Sequence, residues 1–364
     1  MKEKATKADT NHFTSWKNIS EDKRKEFTDL SISAIGIGTY LGDADEKTDS
    51  LYYDSIRKAL ISGVNLIDTA INYRQQRSEK IVGRAIASLE KEKINRKQIV
   101  LSTKGGFLSC EEGPKHYFDF IKKRYIDTKI IKEADIVDDS HCMSPAFLSA
   151  EIDFSLKNMN VVCIDLYYIH NPEVQLFSIP EEHFYQRLEE AFILLEKKVE
   201  EGKISSYGLA TWNGFRQKKG SKGYLDLTRI YEIAESISKN HHFTCVQIPF
   251  NLIMLEMIKL PNQSLLDKSV PFITLATERN LSVVVSAPLM QSYVQNLPSR
   301  IFDNLPGSGT PVQKALQFVL SIKGVTATLL GMKSPGHVKE NLKLLSQENW
   351  DEKMLKKAYK LLGV

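Results

Sequence analysis

The sequence predicts an α/β protein built as a closed (β/α)8 barrel with a long loop after its third strand. Three observations carry that expectation. Eight short apolar, β-branched runs recur between residues 32 and 334, segments with apolar residues at helical spacing lie between them, and several runs end in a polar or charged side chain. Apolarity within the runs is continuous instead of alternating, as suits strands covered on both faces. Repetition of the strand and helix unit over roughly 300 residues favours closure over an open doubly wound sheet, because closure leaves no strand edge exposed.

In order, the runs are ISAIGIGTYLG (32–42), VNLIDTA (64–70), IVLSTKGG (99–106), IDLYYIHN (164–171), ISSYGLATWN (204–213), FTCVQIPFNLI (243–253), LSVVVSAPLM (281–290) and VTATLLGMKS (325–334). Helix candidates between them have recognisable starts: Ser78 precedes EKIVGRAIASLEKE, Ser144-Pro145 precedes AFLSAEIDFSLKNM, and Thr310-Pro311 precedes VQKALQFVLSIKG. Gly63, Gly202 and Gly324 close three helices. Two stretches lie outside the pattern. Residues 1–31 are charged and broken and are expected to form a tail or a short hairpin covering the lower end of the barrel, with residues 32–364 as the barrel domain. Residues 105–143 form a long connection after the third strand, read here as a substrate lid over the catalytic face; the alternative is an insertion without function.

Composition narrows the class. Hydrophobic residues at 42% and charged residues at 26% match an ordinary globular protein and exclude disorder. The 49 Lys and Arg exceed the 45 Asp and Glu by four, and the two signs are interleaved, so no nucleic-acid partner is expected. The basic patch Lys218-Lys219-Gly220-Ser221-Lys222 reads as a solvated loop. No apolar run approaches the ~20 residues needed to cross a bilayer, and the first residues, MKEKATKADTNHF, lack the apolar core of a secretory signal. Cys110, Cys142, Cys163 and Cys245 are widely spaced, with no C-x-x-C pair and no His-Cys cluster, which predicts free thiols and no metal site. A soluble cytoplasmic protein is expected; the sequence assigns no oligomeric state.

Chemistry in a barrel belongs to side chains at the C-terminal ends of strands. Asp68 ends the second run, Tyr73 follows five residues later, Lys104 ends the third and His170 the fourth. Singly, each has a structural explanation, as a turn cap, a rim tyrosine, a surface charge and a core histidine. Together they are harder to dismiss, because buried charges need partners and a barrel mouth brings these ends together. A tyrosine is a sluggish acid at neutral pH unless its anion is stabilised. An ammonium ~4 Å away at an effective dielectric of ~20 contributes ~4 kcal/mol, nearly three pKa units in the required direction. Lys104 is therefore expected to lower the pKa of Tyr73. Asp68 would hold the ammonium and partly offset its field, and His170 would donate a hydrogen bond to a carbonyl oxygen.

At these residues the chain resembles the aldo-keto reductases. GVNLIDTAINYRQQRSEKIVGRAI (63–86) is similar to the family's signature after the second strand, and STKGG (102–106) and IDLYYIHN (164–171) to its lysine and histidine segments. The resemblance runs from about residue 32 to about residue 345 and implies a catalytic tetrad of Asp68, Tyr73, Lys104 and His170. It further implies transfer of hydride between a nicotinamide and the carbonyl of an aldehyde, ketone or sugar, or the reverse on an alcohol, with Tyr73 as the proton donor. NADP(H) is the expected cofactor, with NAD(H) as the alternative.

A dinucleotide fingerprint in GIGTYLG fails by spacing. After Gly36 and Gly38 the third glycine would fall at Leu41, and Asp68 comes later than the ~20 residues expected of a ribose-binding acid. The resemblance instead implies a cofactor extended over the barrel mouth. Gly38, Thr39, Tyr40 and Asp68 would lie near the nicotinamide, Gln247 and Thr211 at its carboxamide, and Ser286 and Leu289 beside it. GMKSPGHVKEN (331–341) resembles the adenosine segment, implicating Gly331, Lys333, Ser334, His337, Glu340 and Asn341; Lys333 and the helix start near Ser334 suit phosphate oxygens. Three departures stand out. Ala210 and Thr211 replace a common Ser-Asn pair, Ser286 stands where many members stack a tyrosine, and His337 stands where NADPH-dependent members carry an arginine. Two other readings are kept: a nicotinamide-binding regulatory or partner subunit of the same fold, and a non-redox barrel, which the lack of clustered His, Asp and Glu ligands disfavours.

Overall fold

Eight parallel strands close into a barrel in the computed structural model, which describes residues 3–17 and 19–364. They are β1 (Ile35–Gly38), β2 (Leu66–Asp68), β3 (Val100–Gly105), β4 (Leu166–His170), β5 (Tyr207–Ala210), β6 (Phe243–Pro249), β7 (Ser282–Ser286) and β8 (Val325–Gly331), with β8 pairing with β1 to complete the ring. Each falls inside one of the expected runs. Helices such as Glu46–Ile61, Arg77–Ala87, Pro145–Met159 and Glu181–Glu200 return the chain between them.

Continuous apolarity has a simple cause here. Inward residues Leu66, Val100, Leu166, Tyr168, Val284 and Leu329 form one buried cluster inside the barrel. Their outward neighbours, including Ile67, Leu101, Tyr167 and Val285, form a second cluster under the helices. Each large side chain so buried contributes ~1.5–3 kcal/mol relative to exposure. Following the inward parity upward places Asp68, Lys104, His170, Ala210, Gln247 and Ser286 above the apolar layer, at the C-terminal rim.

Below, a hairpin of Arg24–Phe27 and Leu30–Ser33 sends Phe27, Leu30 and Ile32 into the interior cluster. A ten-residue helix, Lys7–Trp16, precedes it and is not anticipated by the sequence reading, because its buried stripe comprises only Thr10, Phe13 and Thr14. Ala5 N donates to Asp165 Oδ1 (2.8 Å) and Thr6 N to Lys97 O (3.1 Å), which fixes this segment against the N-terminal ends of β3 and β4. A further hairpin, Gln263–Leu265 with Lys268–Val270, follows β6 and, unlike the one below the barrel, is not anticipated by the sequence reading.

Helix starts agree at Thr310, which forms a reciprocal cap with Gln313. Ser78 is corrected: the helix begins at Arg77, and the Ser78 hydroxyl instead donates to Thr39 O (2.8 Å), tying it to the loop after β1. The 105–143 connection packs largely on the flank of the barrel. Its Tyr125 is buried against Phe147, with ring centroids 5.3 Å apart, and donates to Glu151 Oε1 (2.6 Å).

Candidate active site

Strand register assembles the rim. Gly38 pairs with Asp68, Lys104 with Tyr168, His170 with Ala210 and Ala210 with Gln247, so residues far apart in sequence share one layer. Lys104 is fully buried; its Nζ donates to Asp68 Oδ2 (2.5 Å) and to Thr69 O (2.8 Å). Asp68 Oδ1 accepts from Ser102 Oγ (2.8 Å) and from Gln247 Nε2 (3.0 Å). Tyr73 stands over this pair, with Lys104 Nζ 5.0 Å from its ring centroid, and its ring packs edge-on against Tyr40 (5.0 Å) and His170 (5.8 Å). The structure thus brings Asp68, Tyr73, Lys104 and His170 together. Ser102, the second donor to Asp68, was missed; its inward parity with Lys104 was the available signal.

Electrostatics correct one expectation. The pKa of Tyr73 is raised well above its ordinary value, first by burial, then by the charge of Asp68, with Tyr40 and Tyr52 adding. The Lys104 ammonium, paired with Asp68, does not offset burial and the Asp68 charge, so the net shift is upward. Burial also pulls the Lys104 pKa down, against Asp68, which holds it up. His170 is held well below the ordinary imidazole value by burial, then by Lys104 and His141. The resting site is therefore a neutral phenol and a neutral imidazole over a paired carboxylate and ammonium. Among the described residues His170 Nδ1 is buried without a partner, which leaves Nε2 as the nitrogen available to the cavity.

That cavity encloses about 480 Å³ and is lined by Asp68, Tyr73 and His170 and by Gly38, Thr39, Tyr40, Thr211, Gln247, Ser286, Leu289 and Gly331. Thr211 Oγ1 donates weakly to Gln247 O (3.4 Å). Gly38 and Gly331 are register partners that both line the cavity; a Cβ on Gly38 would approach nothing nearer than 3.9 Å, whereas one on Gly331 would stand 3.2 Å from the Leu41 side chain, so the β8–β1 side presents backbone at Gly38 with Leu41 beside Gly331. Lys333, Ser334, His337, Glu340 and Asn341 do not line the cavity. They sit beyond β8, where Ser334 Oγ accepts from His337 N (3.3 Å) to cap the helix Pro335–Asn341. Lys333 and His337 are exposed and Asn341 is buried.

Sequence reasoning missed Asn72, Asn171 and Trp212, and of the segment after β7 it named Leu289 but not Ala287, Pro288, Gln291 and Ser292, which also line the cavity. From the 105–143 connection only Phe107 does so, and the main cover comes from that segment after β7.

The turn after Tyr73 is unusual. Arg74, Gln75 and Gln76 have φ of 50°, 57° and 66°, three consecutive left-handed residues without a glycine. Each costs roughly 1–2 kcal/mol unless the surroundings hold it. Arg74 supplies the hold: Nε donates to Asp43 O (2.8 Å), and Nη2 to Asp49 Oδ1 (2.5 Å), while Arg77 takes Asp49 Oδ2. Arg74→Ala is expected to lower stability by about 2–3 kcal/mol, since it frees the strained turn and removes charge-assisted bonds. Denaturant unfolding checks this; an unchanged midpoint would show that the turn holds without the clamp.

The model of the Aldo/keto reductase family matches residues 34–361. The chain is similar to the NADH-specific methylglyoxal reductase of Escherichia coli (strain K12), with 29% identity over 191 residues that make up 50% of this chain and 49% of that protein. It spans about half the length of the curated relatives it matches. In fold it is similar to the glycerol dehydrogenase AKR11B4 from Gluconobacter oxydans, at a TM-score of 0.66 and 19% identity over 94% of this chain and 96% of that one. The aldo-keto reductase from Klebsiella pneumoniae in complex with NADPH gives a TM-score of 0.64 and 20% identity over 93% and 95% of the two chains.

Proposed function

Because the chain belongs to the Aldo/keto reductase family, we propose that it interconverts an uncharged carbonyl compound and its alcohol with a nicotinamide cofactor, and that Tyr73 is the proton donor in reduction. The observation that carries this reading is the convergence of Tyr73 and His170 on one cavity, above a buried Asp68 and Lys104 pair. When bound, the cofactor supplies the hydride. His170 donates from Nε2 to the carbonyl oxygen and orients it, and Tyr73 gives its proton to the oxygen as negative charge builds there. The raised pKa keeps that proton on the phenol until the alkoxide, a stronger base, calls for it.

The cavity wall at Gly38 and Gly331 would take the nicotinamide, with Thr39, Tyr40, Ser286 and Leu289 as the residues that would hold it and Gln247 and Thr211 those that would bind its carboxamide. The adenosine half would extend past Gly331 toward Lys333, Ser334, His337, Glu340 and Asn341. NADP(H) is preferred, because Lys333 before the capped helix and Lys339 within it are exposed cations; NAD(H) is the alternative, since the His337 ring offers no bidentate guanidinium fork to a 2′-phosphate. Among the described residues lining the cavity, Asp68 is the sole charged one and is already paired, which is why the substrate is placed among uncharged aldehydes, ketones and sugars. Four unbridged, buried cysteines suit a reducing cytoplasm, and among the described residues no helix is long and apolar enough to cross a membrane.

Two measurements test the reading. Titration with NADPH and NADH followed by turnover should show reduction of uncharged carbonyls and poor turnover of 2-oxo acids; if neither nucleotide binds, the proposal fails. The pH profile follows from the shifts. Reduction needs the protonated phenol, present below its raised pKa, and the neutral imidazole, present above its lowered pKa. The working window widens at both ends, so kcat for reduction should be flat from about pH 6 to about pH 9. An inflection at about pH 6.5, the unperturbed imidazole value, would contradict this account of His170.

A further inference from the structure

His141 ends the long connection after β3 and is wholly buried. Its Nε2 lies 2.8 Å from the main-chain oxygen of His170, and its Nδ1 lies 3.1 Å from Gln175 Nε2. Gln175 Oε1 in turn accepts from Arg187 Nη1 (2.9 Å). A carbonyl oxygen can only accept, so His141 Nε2 carries a proton. The oxygen of Gln175 is taken by Arg187, so its amide N–H faces Nδ1, which must then be the acceptor. Donation thus runs one way, from Arg187 through Gln175 and His141 to the backbone at the end of β4.

Two further observations bear on this contact. Gly106 has φ +140°, and a Cβ there would stand 2.9 Å from His141 Nε2 and 2.9 Å from His170 O, so the glycine leaves the space the bond occupies. Phe107 packs edge-on against both imidazoles, with centroids 5.2 Å from His141 and 5.0 Å from His170. The His170 ring has no hydrogen bond of its own at Nδ1, so its orientation depends on its backbone and on the rings around it.

We propose that His141 is a positioning residue for His170: the relay from Arg187 fixes the backbone carbonyl of His170 and, with Phe107, the direction of its imidazole. The inference rests on the role given to His170 above. It also gives the 105–143 connection a task at the site, since its last residues brace His170 while its bulk lies on the flank. Burial holds the pKa of His141 down to about 4, so the donating tautomer persists through neutral pH.

The test uses the full chain, with NADPH and 4-nitrobenzaldehyde, an uncharged aldehyde, as probes. His141→Leu should lower kcat by ~10- to 100-fold, with the KM for the aldehyde and the Kd of NADPH nearly unchanged, because geometry and not binding is lost. His141→Gln, whose amide N–H can reach the same carbonyl, should recover most of that loss. A wild-type kcat in His141→Leu, or a His141→Gln no better than His141→Leu, overturns the proposal. Nitrogen-15 NMR of histidine-labelled wild type gives a readout independent of turnover and of whether the leucine variant folds. It should show His141 protonated at Nε2 and bare at Nδ1 from about pH 5.5 to about pH 8, and the opposite tautomer, or titration near the ordinary value, would overturn the relay. Failure of the functional reading looks different: no NADPH turnover in the wild type, or an unimpaired His170→Ala.

Discussion

Tyr73→Phe is expected to lower carbonyl reduction by ~10²- to 10⁴-fold, the range spanned by the loss of a positioned general acid. Nucleotide affinity and thermal stability should stay near wild type, and the reason lies in the local contacts. Tyr73 is held by ring packing against Tyr40 and His170 and by the charge of Lys104 near its face, all of which a phenylalanine ring can largely reproduce. No hydrogen bond to its hydroxyl enters its titration; burial and neighbouring charges do. The substitution therefore removes the transferable proton and little else. Steady-state kinetics beside a thermal unfolding scan separate the outcomes: turnover close to wild type would remove Tyr73 from the mechanism, and a large fall in melting temperature would show that its hydroxyl serves the fold.

The strands were legible because a barrel buries both faces of each strand, and continuous runs such as LSVVVS leave few other solutions. Asp68, Lys104 and His170 were legible because an ionisable residue ending such a run must be paired or functional. What could not be read has local causes. The cavity wall after β7 turns through Ala287, Met290, Gln291 and Ser292, all at positive φ and none a glycine, so beyond Pro288 no residue type marks its left-handed course. Arg74, Gln75 and Gln76 hide a left-handed turn in the same way, and Ser78 looked like a cap because that turn was invisible. A lone histidine such as His141 reads as core until Gly106 and Gln175 are placed beside it. The expectation for Lys104 failed for another reason: a pairwise Coulomb estimate omits desolvation and the charge of Asp68, which both push the Tyr73 pKa up.

Lys104→Met should be the most damaging change to the fold of the site. It leaves Asp68 buried with Ser102 and Gln247 as its remaining donors and strands Thr69 O, at a cost of about 3–5 kcal/mol for an uncompensated buried charge. The double variant Lys104→Met with Asp68→Asn removes both charges and should recover most of that stability, as the replacement of a whole buried pair generally does. Turnover should not follow. When the proton leaves Tyr73, the phenolate stands over the bonded Asp68 and Lys104 pair, with the ammonium 5.0 Å from the ring centroid; without the ammonium the anion has lost its cation even when the carboxylate is also gone. The double variant is thus expected to unfold near the wild-type denaturant midpoint yet to reduce carbonyls at least ~10-fold more slowly. If turnover instead returns with stability, Lys104 does no more than neutralise Asp68, and the proton transfer from Tyr73 proceeds without help from its charge.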